Sequence, residues 1–128
     1  YVGKPFKDDA PVYMTIKGER VRSKSEVMLA DRLFFRGVPY KYECPIMIDG
    51  IVIHPDFSMK RMSDNKIIYH EHCGKMDDPE YYSDLVERMN LYNQAGIMQG
   101  DRLTFSFETS DIPLDIRVID RLIDEFFK

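Results

Sequence analysis

With 128 residues, 44% of them hydrophobic and 12% aromatic, the chain is long enough to bury a core of its own, and a single domain over residues 1–128 is expected. A formal net charge of −4 argues against a surface that is basic all over and leaves room for a local basic patch only. Two cysteines, Cys44 and Cys73, make neither a disulfide framework nor a CxxC metal knuckle, and no apolar run approaches the roughly 20 residues that cross a bilayer. A soluble, cytoplasmic protein with reduced thiols and no membrane partner is therefore expected, and the start at Tyr1 without a methionine leaves room for a piece of a longer polypeptide.

Residues 1–18 mix prolines and charges with a short alternating stretch, Val12–Ile16, that reads as an arm or an edge strand. From Ser23 the pattern becomes helical, with Val27, Leu29, Ala30, Leu33 and Phe34 at helical spacing until Gly37. Pro39 breaks the chain, and residues 40–48 read as a strand running to a turn at Asp49-Gly50. The second arm of this hairpin is expected to continue from Ile51 past Pro55 to Met59, with Pro55 at an irregular point. After a polar loop, Lys66–Cys73 reads as a third strand. Asp78 and Pro79 then open a helix that keeps Tyr82, Leu85, Val86, Met89 and Tyr92 on one face. Leu103–Phe107 is a fourth strand, expected to lie parallel to the third because a helical crossover joins them. An amphipathic helix through Ile116, Ile119, Leu122, Ile123 and Phe126 closes the chain. The order is α-β-β-β-α-β-α, an α/β fold with a mixed four-stranded sheet flanked by helices.

Two acids stand inside apolar strands: Asp56 in Ile53-His54-Pro55-Asp56-Phe57, and Glu71 in Ile67-Ile68-Tyr69-His70-Glu71. A carboxylate on a buried strand is costly unless it is paired, hydrogen-bonded or bound to a cation. Two on neighbouring strands repel until a cation sits between them, and a hard divalent ion with a preference for oxygen, Mg²⁺ or Mn²⁺, suits such a place. The histidines allow a second reading, because His70 and His72 share a strand face and His54 and Cys73 lie near in sequence. Parity sets Glu71 and Cys73 on the opposite face, so a four-ligand zinc site would need residues from elsewhere.

An acid on the first helix, Pro-Asp on a hairpin strand, Glu on the next strand and then a helix resembles the PD-(D/E)XK nuclease superfamily, with its core like that of restriction endonucleases and Holliday-junction resolvases. The resemblance covers about Ser23 to Phe107. It implies metal-dependent hydrolysis of phosphodiesters, most often in DNA, with Mg²⁺ or Mn²⁺ held by Glu26, Asp56 and Glu71 and by the backbone carbonyl of His72. It further implies a DNA endonuclease or the nuclease part of a DNA-processing protein, either as a homodimer or fused to other domains. The family lysine belongs two residues after the glutamate, where this chain has Cys73, and a thiol lacks the cation that steadies the attacking water and the developing charge. Arg88, Lys75 and Lys24 are the substitutes within reach, Arg88 favoured. Arg88 and Tyr92 stand where some members place residues that contact the active site and the nucleic-acid strand. Arg22 and Lys24 from the basic N-terminal quarter, with Tyr92, are the expected nucleic-acid contacts. Cys73 equally fits a catalytically silent member of the fold that binds nucleic acid or protein. Ser23-x-x-Glu26 also matches a helix capping box, which would give Glu26 a purely structural task.

Overall fold

The computed structural model describes all 128 residues. A short ribbon of β1 (Tyr13–Met14) and β2 (Arg20–Val21) precedes helix α1 (Lys24–Phe35). Strands β3 (Tyr40–Tyr42), β4 (Ile46–Ile48), β5 (Ile51–Ile53), β6 (Phe57–Lys60) and β7 (Ile67–Cys73) follow, then helix α2 (Pro79–Gln94), β8 (Leu103–Phe107) and α3 (Ile116–Leu122). A π-helical turn, Ile123–Phe127, extends α3. The main sheet has the order β3-β6-β7-β8, antiparallel for the first two pairings and parallel between β7 and β8. This is the mixed four-stranded sheet with helices that the patterning predicts, and the α2 crossover supplies its parallel pair. No helix is long and apolar enough to cross a membrane.

Helix α1 starts at Ser23, whose hydroxyl accepts from the Glu26 N–H at 3.2 Å. It ends at Gly37, where φ is +70° and Val38 N–H returns to the Leu33 carbonyl at 2.9 Å. Its buried residues, Glu26, Leu29, Ala30 and Leu33, form a single helical stripe. Glu26 is therefore aimed the same way as the core leucines, which pack with Phe57, Met59, Ile68, Ile119, Ile123 and Phe127 between the sheet and α3. The opposite face carries a smaller cluster of Tyr69, Tyr92, Ile97 and Leu103 with Ile48 and Ile53.

The expected long hairpin of residues 40–59 is corrected by the structure. Glu43 adopts φ +50° and Pro45 follows closely, while Pro55 lacks an amide donor, so the ladder breaks on both arms. Residues 46–53 separate into a two-stranded ribbon closed by Asp49 (φ +50°) and Gly50 (φ +77°), the pair of positive angles that a tight type I′ turn requires. β3 then pairs directly with β6, Tyr42 opposite Phe57, and the last bond of that ladder runs from Glu43 N–H to the Asp56 carbonyl at 3.0 Å. The excursion thus begins and ends on two acids held side by side. The Val12–Ile16 stretch keeps only Tyr13–Met14 as strand, paired with Arg20–Val21.

Candidate metal centre

Asp56 ends the excursion just before β6, and Glu71 lies on β7 next to it. Asp56 N–H points at Glu71 Oε1 (3.4 Å), and the His72 N–H donates to Asp56 Oδ2 at 2.7 Å. Glu71 is 1% exposed; its Oε2 accepts from the Tyr92 hydroxyl at 2.8 Å and lies 3.2 Å from Arg88 Nε. That arginine nitrogen is a charge neighbour without the alignment of a hydrogen bond. Burial, then the charges of Glu71 and Glu26, push the Asp56 carboxyl well above the usual range against the pull of the His72 amide and Arg88. Burial likewise raises Glu71, with Arg88 and the Tyr92 hydroxyl opposing.

Glu26 enters from the end of the α1 stripe. Its Oε1 accepts from Arg22 N–H (3.1 Å) and from the Tyr42 hydroxyl (3.2 Å), so the carboxylate closes back on the residue before the cap while also facing the sheet. Burial raises its pKa and the Arg22 amide holds it back. The capping role and the inward role coexist in one side chain. Glu43, 3% exposed, completes the set: Glu26, Glu43 and Asp56 each offer an oxygen, all within 4.8 Å of one another. Glu71 stands directly behind Asp56, outside that group. Tyr42, squeezed between the acids, has its phenol pushed upward, first by burial and then by the charge of Glu26.

Glu26 and Asp56 line a cleft of about 350 Å³ with Lys4, Arg22, Lys75 and Arg88 as cations, and with His72, Tyr81 and Glu108, while Glu43 and Glu71 stand behind its wall. Sequence-predicted Glu26, Asp56, His72, Lys75, Arg88 and Arg22 are thus brought together. Lys24 lines an adjoining cavity that shares Lys75 and Glu108 with the cleft. Tyr92 is 1% exposed behind Glu71 and reaches the cleft only through that carboxylate, so the expected direct contact of its side chain with a nucleic acid is corrected. Arg22 is largely committed: its guanidinium grips Glu43 at 2.6 and 2.9 Å, donates to the Lys4 carbonyl and stacks on Phe6. Cys73 is fully buried and its thiol is pushed up to about 12 by burial, so it stays a neutral thiol.

The zinc reading fails on hydrogen bonding. His70 shares its two nitrogens with Thr104 and Ser106, and His72 shares its own with Ser106 (2.7 Å) and Glu108 (2.6 Å), along the parallel register of β7 and β8. His72 joins the cleft through its amide and carbonyl side, where the Tyr81 hydroxyl donates to its carbonyl at 3.4 Å. Glu43, Lys4, Tyr81 and Glu108 escape the sequence reading. Only Glu43 carried a signal, an acid between Tyr42 and Cys44 in an apolar strand, the same signal that marks Asp56.

The chain is thus a mixed α/β protein in which the central strands of the sheet flank a carboxylate cleft edged with cations. No family model matches the chain. It is 27% identical over 122 residues to an uncharacterized protein, MJ1519, of Methanocaldococcus jannaschii, a stretch that takes in 85% of this chain and 10% of the relative. The chain spans about a tenth of the length of the curated relative it matches.

Proposed function

We propose that the chain is a PD-(D/E)XK-type nuclease domain that hydrolyses phosphodiester bonds in nucleic acid, most often DNA, with Mg²⁺ or Mn²⁺. The observation that carries this reading is the convergence of Glu26, Glu43 and Asp56 from separate elements, with Glu71 against Asp56, beside a cleft with a cationic rim. All-oxygen donors within 4.8 Å of one another fit a hard divalent ion, and burial with the charges of Glu71 and Glu26 raises the Asp56 carboxyl, a cost that a bound cation would relieve. Asp56 and Glu26 would hold the metal, with Glu43 or Glu71 completing the set. Bound there, the ion would supply Lewis acidity toward a phosphoryl oxygen and lower the pKa of a bound water.

The remaining steps belong to the chain itself. Arg88, beside Glu71 and lining the cleft, would substitute for the family lysine, whose own position holds Cys73, and offset negative charge as it builds on the phosphoryl group. Lys75 and Lys4 on the rim hold the flanking phosphates by charge. Tyr92 fixes the Glu71 carboxylate, and the His72 amide fixes Asp56, so both acids meet a substrate already oriented. A homodimer, or fusion to a larger DNA-processing protein, would supply the second active site or the strand selection that one cleft lacks.

The test is calorimetric titration of Mn²⁺ and Mg²⁺ into wild type and Asp56→Ala, followed by incubation of both with labelled single- and double-stranded DNA and RNA. Binding and cleavage that disappear together in the variant support the nuclease. No metal uptake and no cleavage by wild type, beside a working control nuclease, would sink it. A second reading, a catalytically silent module of the same fold, is favoured by the buried neutral Cys73 at the lysine position. Metal binding without cleavage, with activity appearing in Cys73→Lys, is its signature.

A further inference from the structure

The face of the main sheet that carries Glu71 is only partly covered. Tyr92 packs over Tyr69, with ring centroids 6.1 Å apart, and the β4–β5 ribbon leans in with Ile46 and Ile48, but beside them, over β3 and β6, a groove of about 410 Å³ stays open. Its floor is a strip of sheet in which Lys41 pairs with Ser58 and Ser58 with Tyr69, while Lys60 pairs with Ile67 in the next row. Ile46 and Ile67 form apolar sides, and the volume falls in the range of about 300–1,000 Å³ typical of small-molecule sites.

Two features say what would occupy it. Lys41 and Lys60 are both exposed, and no acid lines the groove, in a chain whose net charge is −4. Lys41 Nζ makes no ion pair and lies 5.9 Å from the centroid of the Tyr1 ring. At the floor, Ser58 Oγ is buried with no hydrogen-bond partner, an arrangement that costs free energy until an acceptor arrives. A strip of strand, apolar sides, an unsatisfied hydroxyl and two exposed cations describe a slot for a small apolar body with an anionic head.

We propose that this groove binds a small organic anion, a compact apolar skeleton bearing one carboxylate or phosphate. The skeleton lies against Ile46, Ile67 and the sheet strip, and the anionic head is met by Lys41 and Lys60, with Ser58 as the added donor. The site is separate from the metal cleft, whose lining residues it does not share, and it stands or falls independently of the nuclease reading.

The probe is 1-naphthoate, titrated by calorimetry and by amide chemical-shift mapping, with neutral 1-naphthamide beside it. Shifts centred on Ile46, Ser58, Ile67 and Tyr69 are expected, with the amide binding about tenfold more weakly because it lacks the charge. Lys41→Glu/Lys60→Glu, two exposed positions, should weaken naphthoate about tenfold without changing the thermal midpoint appreciably. Ser58→Leu, which fills the floor, should abolish binding of both probes. Equal affinity for acid and amide, unchanged binding in the double variant, shifts centred elsewhere or no binding at all would each overturn the proposal.

Discussion

Asp56 is pulled two ways: burial and the Glu71 charge raise its proton affinity, and the His72 amide at 2.7 Å lowers it, with the net effect upward. A folded-state pKa above the unfolded one stabilises the protein at low pH, and that contribution is lost as pH rises through the folded value. Asp56→Asn should therefore raise the metal-free thermal midpoint at pH 8 by a few degrees, roughly what 1 kcal/mol is worth in a chain of this size. The gain should vanish near and below pH 3.8, the ordinary aspartate value, where both states hold the proton. Thermal melts of the two proteins from pH 3.5 to 8 would check this, and Mn²⁺ should reverse the ranking at pH 8 by stabilising wild type alone. His70 behaves in the opposite sense. Burial, then the neighbouring His72, lowers its pKa from 6.5 to about 3, so its contribution is whole above pH 6.5 and drains away as pH falls toward 3. At pH 4.5 about two pH units separate the medium from the unfolded pKa, a loss of about 2–3 kcal/mol. His70→Gln should flatten the acid limb of the stability curve by about that amount, whatever it costs at neutral pH; an unchanged slope in urea melts between pH 7 and 4.5 would show that His70 takes up its proton without unfolding.

At the scale of elements, the β4–β5 ribbon is an independent two-stranded piece, and its turn depends on Gly50 at φ +77°. Nothing lies within 4 Å of a Cβ added there, so Gly50→Ala would carry a purely conformational cost of about 1 kcal/mol. A lower melting temperature with unchanged Mn²⁺ affinity is expected; a loss of metal binding would mean that the ribbon holds the cleft together. The two main helices and strands β7 and β8 were legible in the sequence because their apolar spacing is long and regular and their caps are explicit at Ser23 and Asp78. The break in the 40–59 hairpin was not, because an alternating pattern on both sides of Pro45 and Pro55 looks continuous until the Glu43 backbone angle is known. Asp56, Glu71 and Glu26 were readable as acids in apolar stripes. That Glu43 joins them depends on the β3–β6 register, which places it opposite Asp56, and register is a tertiary property. Lys4 was out of reach for the same reason: its segment is tied to the cleft by Arg22 binding the Lys4 and Pro5 carbonyls, a contact between residues 18 and 17 positions apart.

For the whole molecule, the decisive quantity is how a chain of net charge −4 meets a polyanion. The cations Lys4, Arg22, Lys75 and Arg88 gather at one cleft, but Arg22 is spent on Glu43 and Arg88 stands by Glu71, so few charges remain free for phosphates. The carboxylates themselves repel the substrate until a divalent ion reverses the local sign. Without metal, therefore, binding to single-stranded DNA should be weak and should nearly disappear at physiological salt, because only a counterion or two is released. Adding Ca²⁺, which takes oxygen ligands as Mg²⁺ does but with looser geometry, should restore binding. Lys75→Ala should then lower the affinity evenly across sequences and reduce the slope of log K against log salt by about one, the signature of one lost phosphate contact. Fluorescence anisotropy with a labelled oligonucleotide, repeated across salt concentrations, reads both quantities. Strong binding in chelator that ignores Lys75 would place the polyanion elsewhere on the surface and leave the carboxylate cleft without a substrate, whereas metal-dependent binding with the reduced slope ties phosphate, cation and carboxylates to one place.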